Sequence, residues 1–235
     1  MDELYVVARR VLLDALEALG AHRDAIILVG AQAVFLRVGE ADLAVAPYTT
    51  DGDLVIDPSA LARVPALERE LKAAGFMPKS SESVGAWVTR RPTSVSGETD
   101  VLVDADILRV EALATDDARH LEVRVAGAAA LLVAKVYKID DRTDTDRLSD
   151  KDALDVLRLL RGTPTEEIVR RYRRLLSDER SAAVATRGRT LLEAQFATRR
   201  GPGIEMAVRS AGPLADADEI AASCESLARD LLASL

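Results

Sequence analysis

Two aspartates separated by a single residue open an apolar run, and this feature constrains the chain more than any other. Asp51 and Asp53 lie in the segment TTDGDLVI, which is typical of the start of a β-strand. Because side chains two apart on a strand point to the same side, both carboxylates would face one point. Their repulsion must be offset by a divalent cation, a neighbouring Lys or Arg, or a raised pKa. A turn is the alternative, because Asp also bonds its own backbone.

A junction between a strand and a helix precedes this pair. The apolar run from Ala25 to Val29 ends at Gly30, and helical character resumes at Ala31. A sharp turn at Gly leaves free N–H groups at the helix start, which can bind an anion. The alternative is a junction that only changes the direction of the chain. An anion-binding turn followed by paired carboxylates suits a nucleoside triphosphate with its magnesium ions.

A third carboxylate is expected on a neighbouring strand, and the segment TDVLVD supplies candidates. Alternation places Asp100 and Asp104 on one face of this predicted strand. We favour Asp100 because it stands at the start of the strand, as the earlier pair does. Asp104 and Asp106 are interpreted as the beginning of the following turn. A solvated strand edge is the alternative for Asp100.

Lysine is rare in this chain, with 5 Lys against 26 Arg, so each Lys is informative. Lys is a compact charge that contacts phosphate without the planar geometry of Arg. Lys135 lies in AAALLVAKVYK, which predicts a largely buried helix. Its ammonium group therefore reaches solvent or points towards negative charge. Helical spacing puts Lys135, Lys138 and Arg142 on one face.

Another helix is predicted after the polar stretch that ends at residue 149. Asp150 is its expected N-cap, and Asp152 and Asp155 follow three residues apart. Lys151 is placed to pair with Asp155 at i+4. Taken alone, this pattern predicts a capped surface helix with internal ion pairs. The recurrence of Lys and Asp beside the acidic strands favours a functional role.

In this order the motifs resemble those of the nucleotidyltransferase superfamily. The resemblance covers about residues 25 to 160 and rests on these segments: Val29-Gly30-Ala31, Thr49-x-Asp51-x-Asp53, Asp100-Val101-Leu102, Lys135 with Arg142, and Lys151-Asp152-x-x-Asp155. The chain is most similar to the AbiEii branch, which includes the MenT toxins of toxin–antitoxin systems. A magnesium-dependent enzyme that uses a nucleoside triphosphate is therefore expected.

The resemblance implies which residues bind the nucleotide. Gly30 and Ala31 would form the phosphate-binding turn, with Thr49 at the start of the acidic motif. Lys135 and Lys138 would contact the phosphates. Many relatives have Ser or Gly where this chain has Ala31. They also carry an Arg at the position occupied here by Pro47. Because both differences remove phosphate contacts, a protein that binds a nucleotide or a partner without turnover stays an alternative.

The resemblance also implies the catalytic groups. Asp51, Asp53 and Asp100 would hold two magnesium ions, and Asp100 would help to activate the attacking hydroxyl. Asp152 would be the acidic residue of the distal motif. The expected reaction is in-line attack of an acceptor hydroxyl on the α-phosphorus, with Lys135 neutralising charge on the departing pyrophosphate. This chemistry needs no protein nucleophile.

Charge bears on the acceptor. The net charge of −8 disfavours a general nucleic-acid binder, yet residues 161–210 carry a net +5. This region includes Arg170, Arg171, Arg173 and Arg174, which could bind an RNA backbone or form a solvated helix face. Together with the resemblance, the arginines suggest tRNA as acceptor and a cognate antitoxin as partner. A small hydroxylated metabolite or drug is the alternative acceptor.

Two domains are expected. Residues 1–125 alternate short apolar runs with helical segments such as Ser59 to Gly75, which predicts a nucleotidyltransferase-like α/β domain. Residues 126–235 predict an all-helical C-terminal domain that completes the active site, with breaks at 162–164, 201–203 and 211–213. The charged N-terminal helix does not resemble a signal peptide, and no apolar run is long enough to span a bilayer. We therefore expect a cytoplasmic protein without membrane partners.

Overall fold

The chain is mixed α/β and divides into two compact units. A computed structural model describes residues 3–39, 41, 49, 51–61, 66–79, 86–88, 94–96, 102–141, 150–213 and 215–235. The first unit comprises Met1–Leu36 and Pro47–Ala126, and the second comprises Arg37–Ala46 and Gly127–Leu235. The sequence placed the domain boundary between residues 125 and 126, whereas the structure also assigns Arg37–Ala46 to the second unit.

A mixed seven-stranded sheet organises the first unit. Its strands are β1 (Ile26–Val29), β2 (Asp51–Ile56), β3 (Met77–Pro78), β4 (Trp87–Val88), β5 (Ser94–Ser96), β6 (Ala105–Glu111) and β7 (His120–Ala126). Their order across the sheet is β3-β4-β5-β2-β1-β7-β6. The pairs β1–β7 and β2–β5 are parallel, and the other pairs are antiparallel. All four residues of β1 are buried, as expected for an unbroken apolar run inside a sheet.

Three α-helices and a 3₁₀-helix accompany the sheet. They are α1 (Glu3–Ala18), the 3₁₀-helix Gly20–Ala25, α2 (Gly30–Val38) and α3 (Leu67–Ala73). The predicted N-terminal amphipathic helix is confirmed as α1, and it packs on β2. Leu12, Leu13 and Ala15 of α1 are fully buried. This helix contributes much of the core of the first unit.

Two predictions for this unit need correction. The helix predicted from Ser59 to Gly75 begins only at Leu67, because Ser59 lies in a turn where its N–H and hydroxyl both donate to Asp57. Of the strand predicted over the segment TDVLVD, residues 99–101 lie outside the described residues and residues 102–104 form bends, and a described strand follows from Ala105. Asp106 belongs to this strand instead of the following turn, because it pairs with β7.

Helices form all the described regular structure of the second unit. They are α4 (Ala128–Asp140), α5 (Asp150–Gly162), α6 (Thr165–Ser177), α7 (Ala182–Phe196), α8 (Pro202–Ala211) and α9 (Ala217–Ser234), with the end of α2. The three predicted breaks fall at helix ends and are confirmed. Pro202 begins α8, where its missing N–H costs nothing. Within the described ranges, no helix has both the length and the apolar character needed to cross a bilayer.

Candidate active site

The acidic pair, Asp51 and Asp53, stands at the first and third positions of β2. Both residues are partly exposed, whereas Gly52 between them is buried. Strand alternation therefore places the two aspartates on one side of the sheet. The antiparallel register sets Val29, the last residue of β1, opposite Asp53. The strand predicted for this segment is confirmed, and its acidic start lies beside the end of β1.

The Gly30 turn, formed by Val29, Gly30 and Ala31, meets this acidic start. Gly30 begins α2 immediately after β1 and has a φ of +69°, a conformation that favours glycine. A Cβ built on Gly30 would lie 2.0 Å from Oδ2 of Asp53. The Asp53 carboxylate therefore occupies the space that a larger side chain would fill. Two motifs about twenty residues apart in sequence are therefore adjacent in the structure.

Gly52 has a different neighbour on the other side of β2. A Cβ at this position would lie 3.0 Å from Cδ1 of Leu12, which belongs to α1. The glycine between the two aspartates therefore allows α1 to pack closely on the strand. The acidic pair is consequently held on a strand whose opposite face is packed against a buried helix.

Thr49 orients one member of the acidic pair. Its hydroxyl donates to Oδ1 of Asp51 over 2.7 Å, and Thr49 is only 1 % exposed. A buried hydroxyl that donates to a carboxylate fixes the orientation of that carboxylate while leaving its other oxygen for a ligand. Thr49 therefore supports Asp51 and lies within the same small region as Asp53.

Oxygen donors of this kind suit magnesium, which favours carboxylates together with water and phosphate oxygens. Asp51 and Asp53 provide two such donors on one side of β2, and the space at Gly30 accommodates the second carboxylate. Among the described residues, no group of three or more His, Cys, Asp or Glu is placed to hold a metal. Asp100, the predicted third ligand, lies outside the described residues, as do Arg142 and Pro47.

A second group of charged residues, the buried ion cluster, lies in the second unit. It consists of Lys135 on α4 with Asp152, Asp155 and Arg158 on α5. Nζ of Lys135 lies 2.5 Å from Oδ1 of Asp152 and 2.7 Å from Oδ2 of Asp155. Nη1 of Arg158 donates to Oδ1 of Asp155 over 2.9 Å. Each of the four residues is at most 4 % exposed. Two positive and two negative charges therefore balance in the interior.

The environment of Lys135 keeps its ammonium group charged. Burial by itself would lower the pKa of Lys135, but the carboxylates of Asp155 and Asp152 raise it well above its usual range. The sequence predicted that Lys135 either reaches solvent or points towards negative charge, and the second alternative is the one observed. Lys138, one turn further along α4, is half-buried. The phosphate contacts predicted for both lysines stay predictions.

The pairing predicted within α5 differs from the observed one. The sequence matched Lys151 with Asp155 by the i+4 rule, yet Asp155 bonds Lys135 and Arg158. The burial of α5 explains this, because Asp155 faces the core and needs partners there. The apolar residues on both sides of Asp155 and Arg158 in the sequence are the feature that could have predicted the burial of these two charges.

Asp150 is the first residue of α5. The sequence pattern taken alone predicted a surface helix, but Asp150 is only 5 % exposed, so this prediction is wrong at the start of α5. Its two carboxylate oxygens accept from Nε and Nη2 of Arg209 on α8, over 2.9 and 3.0 Å. Such a bidentate pair is geometrically specific and joins the start of α5 to α8.

The four arginines predicted to bind RNA are not equivalent. Arg170, Arg173 and Arg174 are exposed on α6, whereas Arg171 is 7 % exposed and donates to Glu167 over 2.9 Å. The guanidinium of Arg173 donates to the carbonyl oxygen of Ser234. The predicted basic patch must therefore be corrected to three exposed arginines, because the helical period turns Arg171 towards the core.

Comparison with known proteins does not assign the chain to a family. No family model matches the chain, and no curated protein and no solved structure matches it either. The nucleotidyltransferase interpretation therefore rests on the residues themselves and on their arrangement.

Proposed function

We propose that this chain is a magnesium-dependent nucleotidyltransferase with a nucleotidyltransferase-like fold in its first unit. The observation that carries the proposal is the contact between the Gly30 turn and the Asp53 carboxylate. It brings a turn suited to phosphate next to carboxylates suited to magnesium. A triphosphate with bound magnesium needs both kinds of group within a few ångströms of each other.

The proposed reaction transfers a nucleoside monophosphate to an acceptor hydroxyl. The acceptor oxygen attacks the α-phosphorus, and the bond from that phosphorus to the bridging oxygen breaks. Pyrophosphate then leaves with the bonding electron pair. The hydroxyl proton passes to a base, for which Asp100 is the predicted group. Asp51 and Asp53 would hold magnesium, which when bound supplies positive charge at the attacking and leaving oxygens.

Lys135 is proposed to neutralise charge on the departing pyrophosphate. Its raised pKa supports this, because the role requires a protonated amine. Its bonds to Asp152 and Asp155 set a condition: a phosphate oxygen would have to replace one of those carboxylates. Asp152 would then orient the ammonium group.

We propose tRNA as the acceptor and a toxin of a toxin–antitoxin system as the biological role. Support comes from the net +5 of residues 161–210 and from the exposed Arg170, Arg173 and Arg174. A small hydroxylated molecule is the second candidate acceptor. The internal bonds of Arg171 and Arg173 favour it, because they leave fewer guanidinium groups for phosphates.

The test measures transfer of label from each α-labelled nucleoside triphosphate, supplied separately with magnesium and total tRNA. The native chain is compared with Asp53→Ala and with a control, Asp57→Ala. Asp57 directly follows β2, and its carboxylate accepts from the N–H and the hydroxyl of Ser59 in the adjoining turn, away from the Gly30 turn. We expect label on RNA with the native chain and the control. Asp53→Ala should lose at least about 100-fold in rate, because the site loses a charged ligand.

The remaining outcomes separate the alternatives. Nucleotide-dependent release of pyrophosphate only in the presence of small hydroxylated compounds would move the acceptor to that class. Tight nucleotide binding without pyrophosphate release under any condition would replace the proposal with a non-catalytic binder. Equal activity of native chain and Asp53→Ala would remove the acidic pair from the mechanism.

A further inference from the structure

A buried arginine lies near the candidate site without any assigned role. Arg9 is on α1 and is 1 % exposed. Its Nε donates to Oε1 of Gln32 over 2.8 Å, and its Nη1 donates to the carbonyl oxygen of Glu111 over 2.9 Å. Both acceptors are neutral groups. At Nε and Nη1 the buried guanidinium of Arg9 therefore contacts neutral carbonyl dipoles, and neither of these two acceptors is a carboxylate.

Such an arrangement is costly to maintain. Burial lowers the pKa of Arg9, which reflects the loss of hydration around its charge. The ring of Tyr5, one turn earlier on α1, offsets part of this cost, since its centroid lies 6.0 Å from Cζ of Arg9. An apolar side chain of similar length would fill the same space without desolvating a charge. What the guanidinium of Arg9 adds over such a side chain is its two directed hydrogen bonds, to Gln32 and to Glu111.

The hydrogen bond to Gln32 leads directly to the candidate site. Gln32 is in the first turn of α2, two residues after Gly30, and is itself 1 % exposed. A second contact reinforces this one: the rings of Tyr5 and Phe35 meet edge to face with centroids 5.2 Å apart. One face of α1 thus holds the first two turns of α2 through one polar and one aromatic contact.

The same helix also contacts the strand that carries the acidic pair. Leu12, three residues after Arg9, packs on Gly52 between the two aspartates. Residues three apart share a face of a helix. A single face of α1 therefore touches both parts of the site, the helix that begins at Gly30 and the strand that begins at Asp51.

We propose that Arg9 is a positioning residue, which acts through Gln32 to hold the Gly30 turn against the Asp53 carboxylate. Its consequence for catalysis rests on the proposed function, whereas its consequence for the backbone does not. Loss of the Arg9–Gln32 bond frees the first turn of α2. The distance between the phosphate-binding turn and the acidic pair then varies. This weakens nucleotide binding more than it lowers the rate of transfer once the nucleotide is bound.

The test compares Arg9→Met with Arg10→Met. Arg10 is the next residue of α1 but forms a surface ion pair with Asp116. Hydrogen–deuterium exchange of residues 30–36 is measured first, without nucleotide. We expect exchange there to accelerate at least about tenfold in Arg9→Met and to stay unchanged in Arg10→Met. KM for the nucleoside triphosphate should rise about tenfold in Arg9→Met with kcat nearly constant.

Two further variants keep the proposal falsifiable if Arg9→Met does not fold. Arg9→Lys retains the charge but replaces the planar, forked guanidinium with a single ammonium nitrogen, so the geometry of the bonds to Gln32 and Glu111 is lost. Gln32→Met removes the acceptor and keeps the volume. Both should accelerate exchange at residues 30–36, and combining them should add little because they break the same bond. Exchange that is unchanged at residues 30–36 in every folded variant would overturn the proposal.

The two arms separate this inference from the proposed function. A native chain that neither binds nor transfers any nucleotide would refute the proposed function, and the exchange arm would still decide the role of Arg9. Nucleotide transfer with equal KM in Arg9→Met and Arg10→Met would refute the inference while leaving the proposed function intact.

Discussion

The two charged regions of this protein use the same residue types in opposite ways. The acidic pair in the first unit is partly exposed and carries two like charges on one strand. The buried ion cluster in the second unit is almost fully enclosed and balances two carboxylates with an ammonium and a guanidinium group. A balanced cluster satisfies itself, whereas the repulsion between two like charges on one strand must be offset by a cation, a neighbouring basic side chain or a proton.

Their surroundings differ in the same sense. Around the acidic pair, Gly30 brings its backbone close to the Asp53 carboxylate, and Gly52 lets α1 pack closely on the opposite face of the strand. The buried cluster lies on helices whose apolar side chains, such as Leu157 and Leu159 of α5, are fully buried. The first arrangement leaves two carboxylates partly exposed, and the second joins α4 to α5 through buried ion pairs. Substitutions at the acidic pair should therefore act mainly on activity, whereas substitutions in the buried cluster should also lower stability.

The largest expected effect tests the second half of this comparison. Lys135→Met leaves Asp152 and Asp155 buried with Arg158 as the remaining cation of the cluster. An uncompensated buried charge of this kind lowers the free energy of unfolding by about 3–5 kcal/mol. Urea denaturation followed by circular dichroism measures it. Lys151→Met on the first turn of α5 is the control, for which we expect a change below about 0.5 kcal/mol.

Two results would break the comparison at Lys135. If Lys135→Met unfolds at the same urea concentration as the native chain, the cluster does not hold the helices together. If stability is unchanged while nucleotide transfer is lost, Lys135 acts in catalysis without holding the helices together, and the two regions are not opposites.

The next effect concerns the close approach at Gly30. Gly30→Ala combines a strained positive φ with a Cβ that would lie 2.0 Å from Asp53. Gly39→Ala is the matched control, because Gly39 has a φ of +59° but no atom of the described residues lies within 4 Å of a built Cβ. Both variants incur the backbone strain of about 1–2 kcal/mol. We expect Gly30→Ala to lose about 1–3 kcal/mol more, because its neighbours must shift.

The difference between these glycine variants isolates the contact from the strain. Thermal unfolding measures the loss of stability in each variant, and transfer of labelled nucleotide measures the loss of activity. Gly30→Ala should also lose activity, whereas Gly39→Ala should retain it. Equal losses of stability in the two variants would show that the Asp53 carboxylate can move away from Gly30, and the proposed site would lose its defining contact.

Local patterns made the first region predictable from sequence. The strand at Asp51 and Asp53 follows from the apolar run that they open, and the turn at Gly30 follows from the change of a strand into a helix at glycine. Their contact was expected only from the order of motifs, because no local rule pairs residues twenty positions apart. The contact at Gly30 adds the geometry that the sequence could not supply.

Tertiary packing decided what the sequence could not predict. Asp155 had a local partner in Lys151 but pairs with Lys135, twenty residues away, because α5 is buried against α4. Asp106 resembled a turn residue but joins β6, because β7 supplies a pairing strand. Arg9 is a charged residue of the N-terminal helix, yet it is buried. In each case a charged side chain followed the packing of its element instead of its own preference for solvent.

The smallest expected effect extends the comparison to α6, where exposed and buried arginines stand on one helix. Arg174→Gln removes an exposed charge, so the dependence of tRNA binding on salt should weaken by about one unit of log–log slope. Arg171→Gln removes a charge that is already paired with Glu167, so the slope should stay unchanged while the urea midpoint falls. Filter binding of labelled total tRNA over a series of KCl concentrations measures both slopes. Identical slopes for the two variants would show that RNA does not distinguish the exposed face of α6 from its buried one, and the acceptor would then have to be sought among small hydroxylated molecules.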